Sequence, residues 1–313
     1  MGAGVGAGVD DVARWCSNED MTQAPDAGTT AAANAPATGP GFDPGFLGVE
    51  CPLPAPGAGR SIRTLPYTHF SVLLDAERRL AAATGVNIDG RLLTDLARGD
   101  DWHLDPRVPA DEQAGPELYA RNDLDRGHLV RRRDPVWGTA AVAERANTDT
   151  FAYTNAAPQA AEFNQSKKLW NGLEDHVIAY AEANLLKLSV FTGPVFDASD
   201  PVYRGIRIPQ RFWKVAAWFD TQRDGLAAAG FLLEQTAQLS GIDLESATSA
   251  QATAPDAVPP LGPFRTFQLP VTDIAHATDL AMPALVTADV YLPPLAAAGR
   301  RRVRLEHYGQ VRL

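Results

Sequence analysis

"LDRGHLVRRRDPVWG", residues 124–138, is the stretch whose reading decides the fold. Asp125, Arg126, Gly127 and His128 stand in a row between apolar neighbours. Arg131, Arg132 and Arg133 follow and lead into an Asp-Pro turn. The segment "DRGHLV" (125–130) is expected to form a strand. An imidazole has an unperturbed pKa of about 6.5, so His128 is a candidate base at neutral pH. Gly127 leaves room for a backbone or a ligand to come close. A strand histidine taken alone is more often structural than chemical, so the rest of the chain has to decide.

Downstream, "TNAAPQAAEFNQ" (154–165) brings Asn155 and Asn164. An amide oxygen is a hard, neutral ligand of the kind Mg²⁺ accepts, and Mg²⁺ keeps most of its waters, so one protein ligand is a workable site. Each asparagine alone reads as a turn or cap residue. Apolar residues at spacings of three and four predict a helix over 164–187, carried by Leu169, Trp170, Leu173, Val177, Ile178, Ala181 and Leu185. Three apolar runs after it, 186–196, 211–219 and 230–235, read as central strands. Upstream, 69–75 and 80–89 read as a hairpin and 98–115 as a turn-rich loop. A loop of about 20 residues is expected between the strand at 125–130 and the segment 150–159. Residues 264–280 read as a strand and then a helix capped by Thr272 or Asp273.

Residues 1–44 are rich in Ala, Gly, Pro and Thr and nearly free of large apolar side chains, which predicts a disordered arm. Phe42, Phe46 and Leu47 in "GFDPGFLGVECPLP" (41–54) suggest a strap across the folded domain. The core is expected to be one α+β domain over 45–295, with a basic tail over 296–313. No apolar run of 18 residues exists, and the start "MGAGVGAGVDDVARW" has no basic, leucine-rich leader, so a cytoplasmic location is the default and leader-independent export the alternative. Cys16 and Cys51 are the only cysteines, which fits two free thiols or a single clip. A net charge of -10 disfavours a nucleic-acid binder, but the cations cluster: Arg126 and Arg131 to Arg133 surround His128, Lys167 and Lys168 follow, and Arg300 to Arg302 and Arg304 lie near the end.

Taken together and in order, these segments resemble the DNA/RNA non-specific endonucleases, the endonuclease G-like ββα-metal or His-Me finger nucleases. The resemblance rests on "DRGH" (125–128), "TNAAPQ" (154–159), "FNQ" (163–165), "LWNGLED" (169–175), "VFTGPVF" (190–196), "IPQRFWKV" (208–215) and "TDIAHATDL" (272–280). It implies a central antiparallel sheet flanked by helices. It places His128 on the general base, Asn164 on the single protein ligand of Mg²⁺ (with Mn²⁺ as a substitute), and Asn155 on an asparagine that buttresses the catalytic group. Arg126 and Asp125 fall on the motif's own residues at the phosphate, Arg98 on a phosphate-contacting arginine, and Glu174 on a helix glutamate that orders water around the metal. Two departures are visible. Trp170 and Glu174 stand six and ten residues after Asn164, where the family has four and eight, and Ile178 occupies a position where the family often has arginine. Arg131, Arg132, Arg133 and Lys167 or Lys168 are the cations that could replace it.

The implied function is Mg²⁺-dependent cleavage of DNA and RNA, without sugar or sequence preference, to 5′-phosphate products. The alternatives are a catalytically inactive nucleic-acid-binding or scaffold protein of the same fold, and a hydrolase of a small phosphodiester. The implied partners are DNA and RNA, and an inhibitor or immunity protein is a candidate restraint. No membrane partner is implied; the resemblance allows a dimer, since the family contains dimers, but nothing in the sequence marks an oligomer interface.

Overall fold

The computed structural model describes residues 39–160, 186–239, 265–291 and 302–305. The predicted hairpin forms as β3 (Phe70–Asp75) and β4 (Leu80–Asp89), preceded by β1 (Ala55–Pro56) and β2 (Ile62–Pro66). A short α1 (Pro116–Tyr119) leads into β5 (Leu124–His128), and α2 (Ala140–Asp149) and β6 (Ala156–Ala160) follow. The three apolar runs become β7 (Lys187–Val195), β10 (Arg211–Asp220) and β11 (Gly225–Glu234), with the small hairpin β8 (Val202–Tyr203) and β9 (Ile206–Arg207) between them. Then come α3 (Thr236–Leu239), β12 (Arg265–Leu269), α4 (Val271–Thr278), β13 (Leu280–Ala281), α5 (Pro283–Thr287) and β14 (Val303–Leu305).

Eight of these strands build one antiparallel sheet in the order β14-β12-β11-β10-β7-β4-β3-β2. Its central strands are buried on both faces, which is why they read as near-continuous apolar runs. Alternation splits their side chains between two cores. Leu188, Val190, Phe212, Ala216, Phe231 and Leu233 face one core, shared with Leu124, Leu129, Val130 and Ala157 from the β5–β6 region. Phe191, Trp213, Val215, Ala228 and Leu232 face the other, shared with Phe42, Leu47 and Cys51 and with Ile274 and Leu285 of α4 and α5. Each fully buried Phe or Leu contributes about 1.5–3 kcal/mol. The fold is therefore α+β, with the sheet between two unlike layers.

The structure amends several expectations. The strap expected over 41–54 is tied to the sheet from its first residue, ahead of the domain start expected at 45: Gly41 donates to the Tyr67 carbonyl, the Phe42 amide to Ser71 Oγ and the Asp43 amide to Asn87 Oδ1. Phe42 is buried against Phe191, with ring centroids 5.3 Å apart. The expected tail supplies β14, which pairs with β12 at the sheet edge. The expected loop after β5 contains the ten-residue α2, and the loop at 98–115 contains a 3₁₀ turn at Ala110–Glu112. Neither Thr272 nor Asp273 caps α4; the helix starts at Val271, whose amide donates to Asp289 Oδ2. Of the helix expected over 164–187, 186 is irregular and Lys187 opens β7, because the pairing with β4 reaches back to Asp89; 164–185 lie outside the described residues. Cys51 is free and fully buried, and burial pushes its thiol up to about 12, so it is inert; Cys16 lies outside the described residues.

Candidate active site

β5 and β6 form an antiparallel hairpin that packs on the sheet through its apolar residues. The register pairs Arg126 with Pro158 and His128 with Ala156. Alternation therefore sends Arg126 and His128 to one face and Asp125, Gly127 and Gln159 to the other. Glycine is required at 127: a Cβ there would lie 2.1 Å from Cδ of the fully buried Gln159, which folds across the strand. Asp125, expected at the phosphate, is thus on the face away from His128.

Asn155 locks the exit of this strand. It is fully buried, its Oδ1 accepts from the Val130 amide at 2.8 Å, and its Nδ2 donates to the carbonyls of Val130 and Thr150, both at 2.9 Å. Its own carbonyl accepts from the Leu129 amide. Both side-chain groups of Asn155 are spent on backbone, so it positions the strand end that carries His128. The loop before it is tied to the sheet in turn. Thr154 Oγ1 and Asp105 share the Tyr67 hydroxyl, at 2.6 and 2.5 Å, and Asp149 accepts from the Thr68 amide. Burial pushes the Asp105 carboxyl up, but bonds from Arg107 and Tyr67 outweigh it and hold the carboxyl below its usual range.

Around His128 stands an aromatic wall. The Trp102 ring lies 4.7 Å from the imidazole, and the Phe151 ring meets it edge-on at 5.2 Å. A short parallel bridge sets this geometry: His103 donates to the Phe151 carbonyl and accepts from the Tyr153 amide. Arg126 covers Trp102 with its guanidinium, 5.3 Å from the ring centroid, and makes a long 3.7 Å contact to the exposed Asp100. Such an exposed pair contributes little and leaves the guanidinium available to a ligand. Arg132 is committed: it donates to the Leu96 carbonyl at 2.8 Å and to Asn147 Oδ1 at 3.3 Å, which anchors the loop carrying the exposed Arg98. It is therefore not the free phosphate contact its neighbours in sequence suggested. Arg131 is half-buried in the turn whose carbonyl accepts from the Asp134 amide.

His128 Nε2 is buried and has no hydrogen-bond partner. Burial, and then the positive fields of Arg98, Arg132 and Arg126, pull its pKa down to about 3. The imidazole is therefore neutral throughout the physiological range, with a free lone pair or proton beside two arginines. A neutral base with cations around it suits an anionic substrate. Among the described residues no group of three or more His, Cys, Asp or Glu is placed to hold a metal ion.

The sequence model of the DNA/RNA non-specific endonucleases matches residues 52–289. The chain belongs to that family. Among curated relatives it is 40% identical over 290 residues to the uncharacterized protein y4fB of Sinorhizobium fredii, covering 84% of this chain and 42% of the relative. It is 28% identical over 192 residues to mitochondrial endonuclease G of Bos taurus, covering 58% of this chain and 54% of that one. The human endonuclease G matches at 26% over 208 residues, covering 61% and 60%. The chain thus spans about half the length of the curated relatives it matches. A chain in a solved structure of the EndoG/EndoGI complex matches with a TM-score of 0.49 at 18% identity, covering 70% of this chain and 84% of that one.

Of the residues expected to do chemistry in this endonuclease-family chain, the structure brings together Arg98, Arg126 and His128, with Asn155 behind them. Asn164, Lys167 and Glu174 lie outside the described residues. The wall itself forms no sequence motif. Trp102, Phe151 and Tyr153 come from two separate segments, and only their large aromatic area so close in sequence to the site hinted at it. Among the described residues no helix is long and apolar enough to cross a membrane.

Proposed function

We propose that this chain is a metal-dependent endonuclease that hydrolyses phosphodiester bonds of DNA and RNA without reading sequence. The observation that carries the reading is the neutral, unpartnered Nε2 of His128 lying in the fields of Arg98, Arg132 and Arg126 in a chain of this family. His128 takes a proton from the attacking water. Arg126 and Arg98 hold the phosphate oxygens as charge builds on them. Trp102 and Phe151 exclude bulk water from one side of the imidazole and keep its orientation. Asn155 fixes the strand end on which the base sits. Asn164 would hold the metal, with Glu174 ordering water near it and Lys167 and Arg131 adding phosphate contacts. The described residues of the site are cationic and suit the phosphate, so the ion is assigned to Asn164, a single amide ligand of the kind Mg²⁺ accepts. When bound, Mg²⁺ or Mn²⁺ supplies neutralisation of the charge on the leaving side. The bond from phosphorus to the 3′ oxygen breaks as the water oxygen adds, and the leaving oxygen takes up a proton from solvent, so the products carry a 5′ phosphate and a 3′ hydroxyl; contacts made to phosphate leave the bases unread. An inhibitor or immunity protein is the partner such an activity calls for.

Purified protein is expected to degrade plasmid and single-stranded RNA with Mg²⁺ and to stop when the metal is chelated. Gel retardation of both substrates without any cutting would favour the inactive nucleic-acid-binding protein instead.

The pH profile follows from His128. The group works deprotonated, and its pKa in the folded protein lies below the ordinary histidine value. The acid limb of kcat/KM for the metal-loaded enzyme is therefore expected below about 6.5, with activity persisting as pH falls through the range in which a free histidine titrates. A limb at or above the free-histidine value would argue against His128 as the base in this environment.

A further inference from the structure

Tyr119, at the end of α1, carries a hydroxyl that is buried and has no hydrogen-bond partner. Native proteins rarely leave such a group unsatisfied, and where they do, a ligand or a catalytic role is a standard explanation. Its ring stacks on Tyr153, with centroids 6.0 Å apart and planes at 23°. Tyr153 in turn lies 5.7 Å from Trp102, the ring beneath the Arg126 guanidinium. The residue is thus fixed on the same wall as His128, separated from it by Tyr153 and Trp102 and within the field of Arg126. Burial, with Tyr153, pushes its pKa up while Arg126 pulls the other way, so the hydroxyl stays protonated and lies within the field of that arginine.

We propose that Tyr119 is a substrate-binding residue whose hydroxyl donates to a non-bridging oxygen of the phosphate adjoining the scissile one, the Arg126 guanidinium lying between the two phosphates and holding both. A donor hydroxyl and a guanidinium together select an anionic oxygen, and the backbone of a nucleic acid presents one at each nucleotide step. Arg126 lies two residues along β5 from His128, about 7 Å, which is room for a neighbouring phosphate beside the one being cut. The inference rests on the nuclease reading above.

Tyr119→Phe tests it, since it deletes the hydroxyl and keeps the stacked ring. The KM for duplex DNA is expected to rise about tenfold or more, the effect of losing one hydrogen bond to a charged group, with kcat much less affected. The loss should shrink on a chromogenic substrate with a single phosphodiester. The melting temperature should stay level or rise, because an unpaired buried hydroxyl is a cost to the free protein. A KM unchanged on DNA would overturn the proposal, and so would an equal loss on both substrates. A fall in melting temperature would also overturn it, by showing that the hydroxyl is already bonded in the free protein. A wild-type protein that cuts nothing would fail the nuclease reading itself, which is a separate outcome.

Discussion

His128→Ala protein is expected to cut plasmid DNA on the order of 10³-fold more slowly than wild type, or not at all, while remaining folded. The size follows from what the imidazole does in the proposed mechanism: it is a neutral group with an unpartnered Nε2, set among cations. The folding cost should be modest because two effects oppose each other. Contacts to Trp102 and Phe151 disappear, at about 0.5–1.5 kcal/mol per aromatic pair. Against that, a buried nitrogen with no partner is removed, which returns about 1–3 kcal/mol. Near-wild-type circular dichroism and melting temperature, with cutting lost, is the expected combination. A variant that cuts at the wild-type rate would remove His128 from the chemistry, whatever the family resemblance.

How much of this was legible in the sequence depends on how local each cause is. β3, β4, β7, β10 and β11 were visible because strands buried on both faces need continuous apolar runs, whereas their order in the sheet was not. "DRGH" was visible because the base, a phosphate arginine and the glycine under Gln159 fall within four residues. α2 was not, because "AAVAERANTD" is mostly alanine and polar residues and shows no apolar stripe. β14 was hidden by the arginines around it, Arg300 to Arg302 before the strand and Arg304 within it, which an edge strand tolerates and a buried one does not. The α4 cap was misread because the partner of its first amide is Asp289, 18 residues on, and no local signature reports that. The same holds for Arg132, whose tether to Leu96 turns one of three apparently equivalent arginines into a structural one. The aromatic wall was out of reach for the same reason: it is assembled by a backbone bridge between His103 and Ala152, not by a spacing.

The second large effect is expected at Asn155, where stability and activity should fail together. Asn155→Ala leaves the amide and carbonyl of Val130 and the carbonyl of Thr150 without their partners, in a place where both residues are buried. Each stranded group costs about 1–3 kcal/mol, so a loss of about 3–5 kcal/mol is expected in denaturant unfolding. Asn155→Asp is the sharper variant because it keeps the shape. Its second oxygen would face the two carbonyls that Nδ2 now serves, and an ionised carboxylate there is repelled by both and denied water. Protonation turns that oxygen back into a donor for one of them. The buried carboxyl should therefore titrate above its ordinary range, and Asn155→Asp should gain stability relative to wild type as pH falls through that raised value. A residue needed only for its contact with substrate would show no such recovery. A clamp on the strand end must, and cutting at neutral pH should be lost with the clamp. Equal stability of Asn155→Asp at pH 5 and pH 8, alongside lost activity, would instead make Asn155 a direct participant in the reaction.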